Sequence, residues 1–192
     1  MNTEEVTSKK WMVPACAGGG AYTHQEHMYM SHLDNHPHIM SLLRNGFVLE
    51  IGPGTGKYAE MLIDKFNPRQ YTILDLAKNI GDSMKRLSGH KSTELSFVHA
   101  ENYVDLFGLN FDVLVSNVVI PETPKKYREN LLTNVIPSCK ASMIICQIKE
   151  EDSEGNEPME LFFSELYNKV YNKVIFEQTS YRNCYCMIGY NE

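Results

Sequence analysis

The part of this sequence best suited to chemistry is a run of three glycines framed by two acids. It reads Glu50-Ile-Gly-Pro-Gly-Thr-Gly56, with Asp75 twenty-five positions after Glu50. Glycines at 52, 54 and 56, with Pro53 between the first two, lack the Cβ that keeps a ligand off the peptide groups. The backbone there can turn sharply and admit a close contact. A carboxylate at the end of the next strand, where Asp75 falls, can accept two hydroxyl hydrogen bonds from a ribose diol; the competing reading is a cap on the following helix. A dinucleotide is disfavoured. Its fingerprint puts the third glycine three positions after the second, and its pyrophosphate needs a helix N-terminus. Here the step is two, and Glu50 puts a negative charge just before the bend, which suits a cation better than a phosphate.

S-adenosylmethionine has that character: an ammonium, a sulfonium, a ribose diol and no phosphate. Transfer of its methyl group is an in-line displacement, so an acceptor lone pair must be aligned and water excluded. A hydroxyl acceptor also gains from a general base. Four residues are candidate bases or substrate contacts: His24, His27, His99 and Glu122. His99 also fits a structural histidine, and Glu122 an acid at a helix start. His24 and His27 belong to a dense group with His32, His36 and His38, accompanied by Glu26 and Asp34. Imidazoles and carboxylates at that density could ligate a divalent metal, but no fixed ligand motif is present and Pro37 interrupts the spacing, so no metal is expected.

These groups need elements to position them. Phe47–Ile51 reads as a short apolar strand stopped by Gly52-Pro53-Gly54, and Lys57–Phe66 as an amphipathic helix ended by Asn67-Pro68. Strand and helix then alternate. Strands are expected at 71–75, 95–99, 111–116 and 142–148, and helices at 80–87, 124–135 and 159–171. Segments 174–181 and 185–190 form a closing hairpin around Arg182-Asn183. Alternation implies right-handed crossovers and a mostly parallel sheet, and two final strands without a helix between them imply an antiparallel edge. Residues 22–45 have helical spacing on both sides of Pro37, which should break or restart the helix. With no repeat or low-complexity linker, one domain is expected over 1–192: a helical lid at 1–44 folded over the cofactor, where Tyr22 could touch it, and a core at 45–192.

Composition excludes other classes. A hydrophobic fraction of 43% with 22% charged residues is ordinary for a globular chain. The net charge of −6 and the scattered lysines and arginines argue against a nucleic-acid partner, whose phosphates call for a basic stripe. No apolar run approaches a membrane span and no secretory leader is visible. The five cysteines lack zinc-like spacing and read as reduced, buried side chains, which suggests the cytoplasm.

The segment Val48-Leu-Glu-Ile-Gly-Pro-Gly-Thr-Gly56 resembles the first motif of class I S-adenosylmethionine-dependent methyltransferases. Tyr71-Thr-Ile-Leu-Asp75 resembles their second, Phe97-Val-His-Ala-Glu-Asn102 their third and Phe111-Asp-Val-Leu-Val-Ser-Asn117 their fourth. The resemblance spans about residues 45–190. It implies an α/β, Rossmann-like fold with a mostly parallel seven-stranded sheet, an antiparallel C-terminal strand and S-adenosyl-L-methionine as cofactor. It further implies that Glu50, Gly52, Gly54 and Gly56 line the methionine moiety and that Asp75 with Leu76 holds the ribose. Glu101 and Asn102 would lie near the adenine, and Ser116 and Asn117 beside the methyl group. One departure touches the adenine assignment: His99-Ala100, rather than a glycine, precede Glu101.

Pro53, the Ser-Asn end of the fourth strand, the Pro-Glu after it and the tyrosine-bearing helix beyond are also similar to sugar O-methyltransferases of surface-polysaccharide pathways. That similarity implies a small polar acceptor, a sugar or a phosphorylated intermediate. An N-methyltransferase acting on a small amine, a cofactor-binding module without catalysis and a dehydrogenase are the competing readings. The partner is a small molecule, and the C-terminal edge strands could also pair in a homodimer.

Overall fold

In the computed structural model, residues 30–117, 119–120, 123–147, 164, 167–179 and 184–191 are described. Helix α1 (Pro37–Leu43) carries Pro37 in its first turn, where the missing N–H costs no hydrogen bond and the fixed φ suits a helix start. Residues 30–34 are helical just before it. There follow β1 (Phe47–Ile51), α2 (Lys57–Phe66), β2 (Gln70–Asp75), α3 (Ala77–Leu87) and β3 (Glu94–His99). A 3-10 helix spans Ala100–Leu106 and precedes β4 (Phe111–Asn117), α4 (Lys125–Asn134) and a short 3-10 turn Ile136–Ser138. Strand β5 (Cys139–Gln147), helical residues 167–170, β6 (Lys173–Gln178) and β7 (Cys184–Tyr190) complete the chain.

The seven strands form one sheet in the order β3-β2-β1-β4-β5-β7-β6. Strands β1 to β5 pair in parallel, and β7 enters antiparallel between β5 and β6. The sheet thus has the predicted number and sense of strands. Its order reverses at β1, which pairs with β2 on one side and β4 on the other. Ligands of open α/β sheets bind beyond the carboxyl ends of the strands at such a switch point.

Alternation along the strands feeds two apolar layers. Val48, Tyr71, Ile73, Val113, Val115 and Met143 pack with α2 and with Leu33, Ile39 and Leu43. Leu49, Ile51, Leu74, Leu114 and Ile144 pack on the opposite face against Leu131 and Leu132 of α4 and against Tyr167 and Tyr171. Burial on both faces explains why the central strands read as continuous apolar runs. Of the segment expected to form a lid, Met30, Leu33, Ile39, Met40, Leu42 and Leu43 pack into the first layer. His32 Nδ1 lies 2.9 Å from Glu177 Oε2 on β6, and His36 Nε2 lies 3.3 Å from Oε1 of the same carboxylate. His38 stacks on Tyr190 with centroids 3.7 Å apart.

Some elements differ from the expectation, among them β6, which ends at Gln178 rather than at residue 181. Helix α3 starts at Ala77 rather than at residue 80, because its polar first turn carries no apolar signal. Strand β5 starts at Cys139, three residues before the expected strand, and the 3-10 helix after β3 was not expected at all. Of the helix expected at 159–171, residues 164 and 167–170 are helical, and the hairpin turn at 182–183 lies outside the described residues.

Candidate cofactor site

The bend after β1 is built by its glycines. Gly52, Gly54 and Gly56 take φ of 74°, 60° and 75°, in the left-handed region that penalises a Cβ. At Gly52 a Cβ would stand 2.3 Å from the Val119 side chain, so the chain leaving β4 passes directly over the bend. At Gly54 a Cβ would meet nothing within 4 Å, so that peptide faces open space.

Asp75 ties the bend to β2. Its Oδ2 accepts the Gly54 N–H at 2.8 Å, while Oδ1 accepts the Leu76 N–H at 2.7 Å and the Asn79 side-chain amide at 2.9 Å. A carboxylate has about four lone-pair sites, and three are taken. One is left for a ligand hydroxyl, so a diol bound through both hydroxyls must displace one protein donor. Burial pushes the Asp75 carboxyl above its ordinary range, opposed by the bonds from Asn79, Leu76 and Gly54. On the far side of the bend, the Ser83 hydroxyl of α3 donates to the Gly54 carbonyl at 3.2 Å.

Glu50 is 3% exposed. Alternation puts it on the same sheet face as Val48, and there the Tyr71 hydroxyl of β2 donates to Glu50 Oε2 at 2.7 Å. Burial pushes its pKa to about 8, against the lowering effect of Tyr71 and with a smaller push from Asp75. At neutral pH Glu50 is therefore mostly protonated, and a cation arriving beside it would draw off the proton. That chemistry fits an ammonium or sulfonium group.

A small cavity runs from this bend across the sheet edge. Ile51, Gly52, Leu74, Asp75, Ala100, Val119, Thr123, Tyr127 and Leu131 line it. Its free volume is about 20 Å³, the room of one water molecule. Its described lining holds no lysine or arginine, the side chains that pair with phosphate.

The structure thus brings together Glu50, Gly52, Pro53, Gly54, Gly56, Asp75 and Leu76. Pro53 is buried, and its carbonyl accepts the Gly56 N–H at 3.1 Å. Ser116 is 1% exposed and its hydroxyl donates to the Ile51 carbonyl at 3.0 Å, which staples β4 to β1. Asn117 ends β4, and its Oδ1 is buried without a partner among the described residues. Glu101 and Asn102 are exposed and do not line the cavity, whereas Ala100 does. His99 is exposed at the end of β3, in register with Asp75. Tyr22, His24, His27 and Glu122 lie outside the described residues. Among the described residues no group of three His, Cys, Asp or Glu could hold a metal ion, and no helix is long and apolar enough to cross a membrane.

Sequence reasoning missed Tyr71, Asn79, Val119, Thr123 and Tyr127. The position of Asn79, four residues after Asp75 in the first turn of a helix, was an available signal. The others depend on strand register and on the path of the β4–α4 connection, which spacing does not reveal.

No family model and no curated protein matches this chain. Solved structures do. The PH0226 protein of Pyrococcus horikoshii OT3 superposes with a TM-score of 0.68 at 13% identity, over 100% of both chains. The N-methyltransferase NodS of Bradyrhizobium japonicum WM9, solved with S-adenosyl-L-homocysteine, gives a TM-score of 0.59 at 14% identity, covering 82% of this chain and 86% of its own. The mitomycin 7-O-methyltransferase MmcR gives 0.57 at 15% identity, and this chain spans only 48% of its length. The chain therefore has a Rossmann-like fold shared with PH0226 and with the methyltransferases NodS and MmcR, with the sheet order and switch point described above.

Proposed function

We propose that this protein is an S-adenosylmethionine-dependent methyltransferase acting on a small polar acceptor, by O-methylation of a sugar or a phosphorylated intermediate of surface-polysaccharide synthesis. One observation carries the cofactor half of this reading. A buried Glu50, whose carboxyl burial pushes up to about 8, stands behind a left-handed glycine bend whose Gly54 N–H is held by a second acid, Asp75, and the described lining of the cavity beside them has no basic residue. When bound, the cofactor supplies an electrophilic methyl group on a sulfonium. The chain's own residues do the positioning. Glu50 receives the cationic amino-acid end and gives up its proton, and Asp75 takes a ribose hydroxyl through its remaining lone pair. Val119 over Gly52 shields the transfer point from water.

For the acceptor, the support is the similarity of the Pro53 loop, the Ser116-Asn117 strand end and the α4 region to sugar O-methyltransferases. The base for a hydroxyl would come from His24, His27, Glu122 or His99. A second reading, methylation of a small amine, is favoured by the Oδ1 of Asn117 at the end of β4, which has no partner among the described residues. An amide oxygen accepts an N–H of the neutral amine and leaves the nitrogen lone pair free for transfer, and the methylated ammonium then loses its proton to solvent. A screen with methyl-labelled cofactor over sugars, sugar phosphates, nucleotide-linked sugars and small amines tests both readings. Label in a sugar hydroxyl supports the first and label in an amine the second; label in neither class refutes both.

A further inference from the structure

One wall of the cavity is a tyrosine backed by further aromatic rings. Tyr127, in the first turn of α4, donates its hydroxyl to the main-chain carbonyl of Ala100, the first residue after β3. Its ring rests on Tyr103 with centroids 4.1 Å apart and planes at 42°, and Tyr103 meets Phe107 edge-on at 5.6 Å. Ala100 and Tyr127 line the cavity with Asp75, so the Ala100 main chain stands beside the place a base would take if Asp75 held its ribose. A volume of about 20 Å³ cannot take a purine, and the group that must yield first is the one tied across the gap.

We infer that Tyr127 is the latch of the base subsite: its hydroxyl holds the Ala100 carbonyl that otherwise receives the exocyclic amino group of adenine, and its ring then serves as the stacking wall. This rests on the cofactor reading above. Opening exchanges one neutral hydrogen bond for another of the same kind, so it needs little energy beyond turning the ring. Burial, with Tyr103 and Glu101 adding to it, lifts the Tyr127 hydroxyl to about 12, so it remains a donor throughout the neutral range. Tyr127 and Ala100 come from elements far apart in sequence, which makes the contact a clasp between α4 and the end of β3.

Calorimetric titration of S-adenosylhomocysteine into wild type, Tyr127→Phe and Tyr127→Ala tests the inference, with thermal unfolding of each variant as the folding control. Phenylalanine keeps the ring and removes the latch, so binding should tighten about five-fold. Alanine removes the wall as well, and binding should weaken about ten-fold relative to wild type. Tyr127→Phe binding no tighter than wild type, or Tyr127→Ala binding at least as tightly as Tyr127→Phe, overturns the latch. The two failures are separable. If wild type itself does not bind S-adenosylhomocysteine, the cofactor reading falls; if it binds and Tyr127→Phe is unchanged, only the latch falls.

Discussion

Replacing Glu50 by glutamine should stabilise the protein while weakening its grip on the cofactor. In the fold the Glu50 carboxyl titrates at about 8, against 4.5 for an ordinary glutamate, because burial disfavours the charge. The sign follows from proton counting. Between those values the folded state keeps a proton that the unfolded chain releases, so stability falls as pH rises through the window and levels off above the folded value. The gap of about 3.5 units corresponds to about 5 kcal/mol in full, of which about 3 kcal/mol develops between pH about 5.5 and about 9. Glutamine keeps the shape and an oxygen for the Tyr71 hydroxyl but has nothing to ionise. Urea or thermal unfolding of wild type and Glu50→Gln at several pH values reads the difference directly. The variant's advantage should grow by about 3 kcal/mol over that range, roughly 6 to 12 °C in melting temperature for a chain of this size. Parallel pH profiles for the two proteins would mean that Glu50 is already ionised in the fold, and the reasoning would be refuted. The same proton gives a second reading: calorimetry near pH 7 in buffers of different ionisation enthalpy should show net proton release on cofactor binding, and Glu50→Gln should release none.

Three further outcomes follow from the geometry. Gly52→Ala combines left-handed strain with a clash against Val119 and should cost more than Gly54→Ala, which meets open space and pays about 1–2 kcal/mol of strain alone; chemical denaturation ranks them. Asp75→Ala removes the acceptor of three hydrogen bonds together with the proposed ribose contact, so cofactor affinity should fall more than ten-fold in equilibrium dialysis, with a loss of about 1–3 kcal/mol in stability. Glu177→Gln disrupts the tie to His32 and His36. The carboxyl of Glu177 is held below its usual range by those histidines against a partial burial that pushes the other way. Its contribution is therefore present above the ordinary glutamate range and lost as pH falls through the folded value, so the melting-temperature deficit of the variant should shrink in acid.

The glycine bend, Asp75 and the strand count were legible because each rests on a local signal: residues without Cβ atoms between an apolar strand and an amphipathic helix, an acid at a strand end, and breakers such as Asn67-Pro68. What surrounds them was not legible. Tyr71 reaches Glu50 only because parallel pairing sets Val48 beside Tyr71 and turns both toward α2. Tyr127 meets Ala100 only after α4 packs against the sheet, and no spacing joins positions 27 apart. The charge state of Glu50 is likewise a matter of burial: sequence alone gives an acid before the bend, and only its enclosure by the sheet pushes the carboxyl up to about 8. His32 and His36, which looked like candidates for ligand chemistry, tie residues 30–43 to the edge strand β6 instead.

The central claim is that this glycine bend, with Glu50 behind it and Asp75 beside it, grips a sulfonium nucleoside rather than a pyrophosphate. Equilibrium dialysis of labelled S-adenosylmethionine against wild type, with NAD as competitor, measures that most directly. The account predicts saturable binding that S-adenosylhomocysteine displaces and NAD does not. Saturable binding of NAD with none of S-adenosylmethionine would contradict it.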